Sequence, residues 1–295
     1  MRRRLRWRRL RRVQQLMRVA SLGLGIGWRP EIALFIERRI DLGFIEVIAE
    51  NVSTGDSIPR AIRQLQERGV RVVPHGVSLS LGSAEGVERE RIEMLARLAR
   101  VVDAPLVSEH IAFVRARGLE AGHLLPVPRT REQLRALVRN IRATQALLPV
   151  PFAVENVAAL VEWPGAEMDE ATFLGEILEQ TGAHLLLDLA NVHANARNHS
   201  ASAGETLANL PLDRVAYVHV AGGEERDGLY YDTHAHRTPP EVFELVREAS
   251  SRMDIPGFML ERDDHFPSDA ELGEELDAVR SAIAEGRARR GAHVA

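Results

Sequence analysis

Eight short apolar runs, each followed by a stretch with apolar residues at three- and four-residue steps, constrain this 295-residue chain more than any other feature. The runs cover residues 20–26, 43–49, 70–75, 105–109, 151–155, 184–188, 215–220 and 257–261. Their length suits buried strands, and the spacing in 58–69, 87–102, 131–148 and 241–253 suits helices that turn one face to a core. Strands that alternate with helices line up in parallel, because each helix carries the chain back to where it started. Eight such units without a second zone of composition predict one closed (β/α)8 TIM barrel of the α/β class. Local punctuation agrees. Pro30 and the pair Pro239–Pro240 fit helix starts, where a missing N–H costs nothing. Gly69 and Gly182 fit helix ends. The run Gly23-x-Gly25-x-Gly27 lacks the spacing of a dinucleotide-binding loop and reads as tight packing at a strand end. The expected organisation is an arginine-rich arm over 1–18, a barrel over 19–288 and a short tail over 289–295.

Composition narrows the chemistry. With no cysteine there is no disulfide framework and no thiolate site. Any transition metal must therefore be held by imidazole, carboxylate or amide groups. Lysine is also absent, so all 38 basic residues are arginine. Nine of them fall in residues 1–18, a block that reads as a solvated arm or a misassigned start, while all 42 acidic residues lie beyond it. An acidic body argues against a broad nucleic-acid surface. No apolar run approaches the roughly 18 residues that a membrane span requires, and no small-residue cleavage pattern follows 19–26. A cytoplasmic protein is expected.

The candidate chemistry sits where the strands end. Strand three ends in His75, strand four in Glu109–His110 and strand five in Glu155–Asn156. Strand six ends in Asp188, strand seven near His219 and strand eight in Glu261, and the loop YDTHAH adds Asp232 and His234. Strand ends are neighbours around one rim of a barrel, the rim where active sites form. Carboxylates crowded into one mouth repel one another; cations remove that cost and neutral imidazoles complete the coordination. A lone histidine is more often a satisfied hydrogen-bonding group than a ligand, but independent residues have no reason to fall at six consecutive strand ends. Glu50–Asn51, after strand two, are candidates for orienting the ligands. His193 and His199, just past strand six, are open between ligand, substrate contact and neither. His123, His184, His236, His265 and His293 read as surface or structural, and Trp28 and Trp163 as packing residues.

The ordered set GLGIGWRPE, IEVIAEN, PHGVSLSLGS, LVSEHIAF, LLPVPRT, VENVAAL, LLLDLANVHANARNH, VHVAGG, YDTHAH and LERD resembles the multinuclear non-haem iron-dependent oxidases, whose best-known member acts in methanobactin biosynthesis. This group lies within the xylose isomerase and endonuclease IV superfamily of barrels. The resemblance implies a first ion held by His75, His110 and Glu155. A second would share Glu155 and add Asp188, His219 and Glu261, which with Glu155 form the catalytic set. A third would use Asn191, Asp232 and His234. It also implies two or three iron ions of mixed Fe(II)/Fe(III) valence, with O2 as co-substrate, acting on a residue, often Cys, of a ribosomally made precursor peptide. A separate small protein would present the peptide, with segments 115–123 and 194–205 the places to look for recognition within the barrel itself. Three alternatives stay open. A zinc phosphodiester hydrolase of the endonuclease IV type would use the same ligands, though that group has a histidine where Asn191 stands. A divalent-metal sugar isomerase would lack a strand-end lysine. An inactive adaptor barrel would have no reason to keep the full ligand set.

Overall fold

In a computed structural model the described residues are 19–52 and 58–294. The arginine-rich arm lies outside them. Twelve strands follow one another: β1 (Gly23–Gly27), β2 (Phe44–Ile48), β3 (Arg71–Gly76), β4 (Val107–His110), β5 (Ala112–Ala116), β6 (Leu119–Pro126), β7 (Phe152–Glu155), β8 (His184–Asp188), β9 (Val215–Val220), β10 (Gly222–Arg226), β11 (Leu229–His236) and β12 (Gly257–Leu260). Eight of these, all parallel, close into a barrel in the order β1-β12-β9-β8-β7-β4-β3-β2. They are the eight apolar runs of the sequence. The expected helices also form, among them Arg60–Glu67, Arg89–Val101, Arg131–Gln145 and Pro240–Arg252. Pro240 opens its helix, and Gly182 closes Glu170–Thr181 in the left-handed conformation at φ +73°. The final helix runs Asp269–Val294 and takes in residues 289–294. No helix among the described residues is long and apolar enough to cross a membrane.

Alternation along each strand builds two cores. One face of the strands, with Ile45, Val72, Val107, Val154, Leu187 and Val218, packs under the surrounding helices. The other face fills the barrel. Its lower layer holds Phe44, Val73, Leu106, Ala153, Leu186, Tyr217 and Met259, plugged below by Leu22. Each fully buried aliphatic or aromatic side chain of this kind contributes roughly 1.5–3 kcal/mol. Strand β1 supplies glycines here because the others fill the space: a Cβ on Gly25 would lie 2.4 Å from the Phe44 ring. That is the tight packing expected of the glycine run. Two residues further along each strand, on the same inward face, stand Glu46, His75, Ser108, Glu155, Asp188, His219 and Glu261.

Two antiparallel hairpins, β5–β6 and β10–β11, rise from the C-terminal ends of β4 and β9. Each turns on a pair with positive φ at both positions, Arg117 (+50°) with Gly118 (+75°) and Asp227 (+53°) with Gly228 (+78°). This is the type I′ turn whose twist matches that of the flanking strands. The second hairpin carries Asp232 and His234 back over the barrel mouth.

Candidate metal centre

The inward layer at the C-terminal end of the barrel brings the expected residues together. Glu155 sits at its middle. Its Oε2 lies 3.3 Å from His75 Nε2 and 3.3 Å from His110 Nε2. Its Oε1 lies 3.3 Å from His219 Nδ1. The two oxygens of one carboxylate thus face two different groups of donors. His219 Nδ1 also approaches Glu261 Oε2 at 2.9 Å and Asp188 Oδ2 at 3.8 Å. Beyond these, His234 Nε2 is 3.9 Å from Asp188 Oδ2 and 2.7 Å from Asp232 Oδ2, and His234 Nδ1 is 3.4 Å from Glu261 Oε2. Among the described residues, four groups of donor atoms, each group within 4.8 Å, lie across the mouth: His75–His110–Glu155, Glu155–Asp188–His219, Asp188–His234–Glu261 and, on the far side of His219, Glu46–His219–Glu261.

Local structure explains how the carboxylates are aimed. Asp188 is the N-cap of the helix Leu189–Asn198, and its Oδ1 accepts from the Asn191 main-chain N–H at 2.7 Å. That bond leaves Oδ2 pointing inward. Asn156 clasps the same corner, accepting from Asp188 N–H and donating to Asp188 C=O. Glu261 Oε1 accepts from Arg29 at 3.2 Å, and Arg29 is held in turn by Asp263, so Oε2 points inward. His234 reaches the mouth from a left-handed residue, φ +52°, a conformation costly for a non-glycine and typical of constrained sites.

The donor set fits a cluster of cations. Four of its buried atoms lack hydrogen-bond partners: Glu155 Oε2, Asp188 Oδ2, His219 Nδ1 and Glu261 Oε2, and Asp232 Oδ1 beside them lacks one too. Leaving a buried polar atom unsatisfied costs about 1–3 kcal/mol, more if it is charged, so convergence of these atoms on one space calls for something that satisfies them together. The titration behaviour says the same. Burial resists charge on Glu155, yet His110, His219 and His75 outweigh it and hold the carboxyl down at about 2. Burial also resists charge on His110, but Glu155, Glu109 and Glu261 push it up to about 9. His219 and His234 are likewise raised against burial, the first by Glu46, Glu261 and Glu155, the second by Asp232 and Glu261. Asp188 is raised by burial and by Asp232. Protons on these imidazoles stand in for the positive charge that the carboxylates require.

Several of the other residues singled out in the sequence make contacts of their own. The Asn191 amide nitrogen donates to Asn156 C=O at 3.0 Å, and its main chain caps Asp188. Glu109 is consumed by three main-chain N–H groups, those of Ser78, Leu79 and His110. Glu50 accepts from Val77 N–H, whereas Asn51 is exposed. His193 packs edge-on against Tyr230, and His199 Nε2 bonds Ala159 C=O at 2.7 Å. Neither enters a donor group. Conversely, sequence reasoning missed Arg29, Glu46, Ser108, Tyr217 and Asp263. Glu46 and Ser108 lie inside apolar runs, where the usable signal is a polar residue two positions past the lower barrel layer.

A closed α/β barrel with a ring of imidazoles and carboxylates at the C-terminal ends of its strands is an arrangement that could hold metal ions. The chain belongs to the family of RiPP precursor modification enzymes MbnB/TglH/ChrH, which it matches over residues 23–284. A UPF0276 protein of Streptomyces avermitilis is 49% identical over 284 residues, 94% of this chain. This chain spans only 58% of that protein's length. A UPF0276 protein of Caulobacter vibrioides is 37% identical over 267 residues, 90% of this chain and 95% of its own length. Among solved structures, an L-ribulose 3-epimerase superposes with a TM-score of 0.58 at 13% identity, over 92% of this chain and 98% of that one. A 3-keto-D-glucoside 4-epimerase from E. coli gives 0.55 at 14%, over 88% and 99%. Likeness at this level of identity shows the shared barrel.

Proposed function

We propose that this protein is an iron-dependent, O2-using oxidase or oxygenase that modifies a residue of a ribosomally synthesised precursor peptide. The observation that carries the reading is Glu155, whose two oxygens address two donor groups within one buried ring of unsatisfied atoms. His75, His110 and Glu155 would hold one ion. Glu155, Asp188, His219 and Glu261 would hold a second, and His234 with Asp232 would hold a third beside Asp188 and Glu261. Nitrogen and oxygen donors without sulfur suit iron in its oxidised and reduced states, and iron supplies the one-electron and O2 chemistry that side chains alone lack. The chain's own residues aim the donors and keep the ring buried.

The peptide has two places to lie. A cleft of about 840 Å3, with no donor-ring residue in its lining, is bounded by Arg129, Glu162, Glu170, Asn195, His199 and Glu205, within and around the segment 194–205. The hairpin β5–β6 covers 115–123. The lining of the cleft, with Glu162, Asp169, Glu170 and Glu205 against Arg129, is acidic on balance, which disfavours approach of a free anionic peptide. A separate presenting protein would supply effective concentration and orientation. The test is anaerobic reconstitution with ferrous iron, then O2, with the precursor peptide and with or without the presenting protein, reading peptide mass. A mass change that depends on iron and O2 supports the reading. A zinc-loaded chain that cleaves phosphodiesters, with no gain of function on adding iron, contradicts it.

A further inference from the structure

Beneath the donor ring, five buried side chains form one continuous hydrogen-bonded chain. His75 Nδ1 lies 2.8 Å from Ser108 Oγ, and Ser108 Oγ lies 2.7 Å from Tyr217 Oη. Tyr217 Oη donates to Glu46 Oε2, which also lies 2.9 Å from His219 Nε2. Ser108, Tyr217, Glu46 and His219 are all at most 1% exposed. The second oxygen of Glu46, Oε1, is buried without a partner, so both neighbours converge on Oε2. Glu46 meets His219 on the side opposite Glu155, Asp188 and Glu261, which all face Nδ1.

We propose that Glu46, acting through Tyr217 and Ser108, is a positioning residue that fixes the tautomers of His75 and His219 and so prepares both the first and the second metal position from a single carboxylate. The direction of the chain is forced by the supply of hydrogens. Tyr217 gives its one hydrogen to Glu46 Oε2. With the Tyr217 hydrogen given away, the Ser108–Tyr217 contact needs the Ser108 hydrogen, which is thereby spent. His75 must therefore donate from Nδ1, which leaves Nε2 bare toward Glu155. At the other end His219 donates from Nε2, which makes Nδ1, facing the centre, its metal-binding nitrogen. A ligand imidazole commonly gives its second N–H to a carboxylate or carbonyl, with a large effect on metal affinity. Here that contact is extended across the barrel, from β9 to β4, to a second ligand 33 positions from Ser108.

The inference rests on the metal reading, and the experiment separates the two. Zn(II) is the probe. Wild-type protein is titrated for stoichiometry and stepwise affinity, and long-range 1H–15N spectra of histidine-labelled protein read each ring's protonated nitrogen. Stoichiometric binding by the wild type supports the metal reading before any variant is made. In Zn(II)-loaded protein the spectra are expected to show His75 protonated at Nδ1 and His219 at Nε2. Tyr217→Phe keeps the ring against Phe44 and removes only the hydroxyl, and Ser108→Ala removes the link nearest His75. Each is expected to weaken one Zn(II) position by about 10- to 100-fold while the other holds, and to release the Nδ1–H pattern of His75. A merely structural role would lower both positions together. Wild-type affinity at both positions in both variants, or His75 protonated at Nε2 in Zn(II)-loaded wild-type protein, overturns the proposal.

Discussion

Inside the barrel, two layers of side chains only two residues apart along the same strands follow opposite rules. The lower layer, with Phe44, Val73, Leu106, Ala153, Leu186 and Met259, is apolar and fully buried. The upper layer, with Glu46, His75, Glu155, Asp188, His219 and Glu261, is almost as buried, yet it carries five ionisable groups with partnerless atoms or raised or lowered pKa values. The lower layer holds the barrel closed, and the upper layer is tolerated because the lower one is there. Stability and chemistry have been assigned to successive turns of the same pleat, so substitutions in the two layers should have opposite signatures.

The largest stability effect belongs to the lower layer. Leu186→Ala, at a fully buried position with no slack around it, is expected to cost about 2–5 kcal/mol and to leave the metal donors in place, as read by denaturant unfolding and by metal content of the surviving folded protein. Asp188→Asn, two residues on, should do the reverse. Burial and Asp232 already push Asp188 toward its neutral form, and asparagine is the neutral isostere that can still accept the Asn191 N–H. Metal-free Asp188→Asn is expected to be more stable than wild type by about 0.5–2 kcal/mol while losing metal. A destabilised Asp188→Asn would erase the contrast.

A smaller effect should appear with pH, and it separates metal-free from metal-loaded protein. His110, ordinarily near 6.5, is pushed up to about 9 in the fold, and His219 and His234 are raised too. A raised imidazole stabilises the fold fully below its unfolded value, and that contribution is lost as pH rises through the folded one. Metal-free protein should therefore lose stability between about pH 6.5 and 9. Metal displaces those protons, so loading should strengthen over the same range, with stabilisation of about 4 kcal/mol at a thousandfold excess over Kd. Thermal unfolding at several pH values, with and without Zn(II), checks both. A metal-free stability that rises across this window would contradict the electrostatics.

The barrel was legible because its evidence is repeated eight times: apolar runs, helical spacing and Pro and Gly punctuation all agree. Six strand-end residues were legible for the same reason. The two hairpins were not, because β5, β6, β10 and β11 are mixed in polarity and cover the mouth without entering the core, though the Asp227-Gly228 turn marks one of them. Glu46 was hidden because a single carboxylate in an apolar run looks like an irregularity until its strand is placed beside β9. Arg29 was hidden because its partners Glu261 and Asp263 are more than 230 positions away. Glu109 reads as a ligand type in sequence, and only the fold shows it spent on main-chain N–H groups.

The smallest effect is expected just outside the ring. His193→Ala and His199→Ala remove imidazoles that touch Tyr230 and Ala159 and should retain every metal equivalent. A lost equivalent in either variant would place a ligand outside the upper layer.

The central claim is that one carboxylate bridges two ions in the upper layer. The most direct measurement is metal content per chain by elemental analysis, on protein made in iron-rich medium and purified without oxygen, for wild type, Glu155→Ala and Asp232→Ala. The account predicts about two to three irons in wild type, held by nitrogen and oxygen donors, a loss of more than one equivalent in Glu155→Ala and a loss of at most one in Asp232→Ala. Equal losses in the two variants, or wild-type protein that holds zinc alone and takes up no iron, would contradict it.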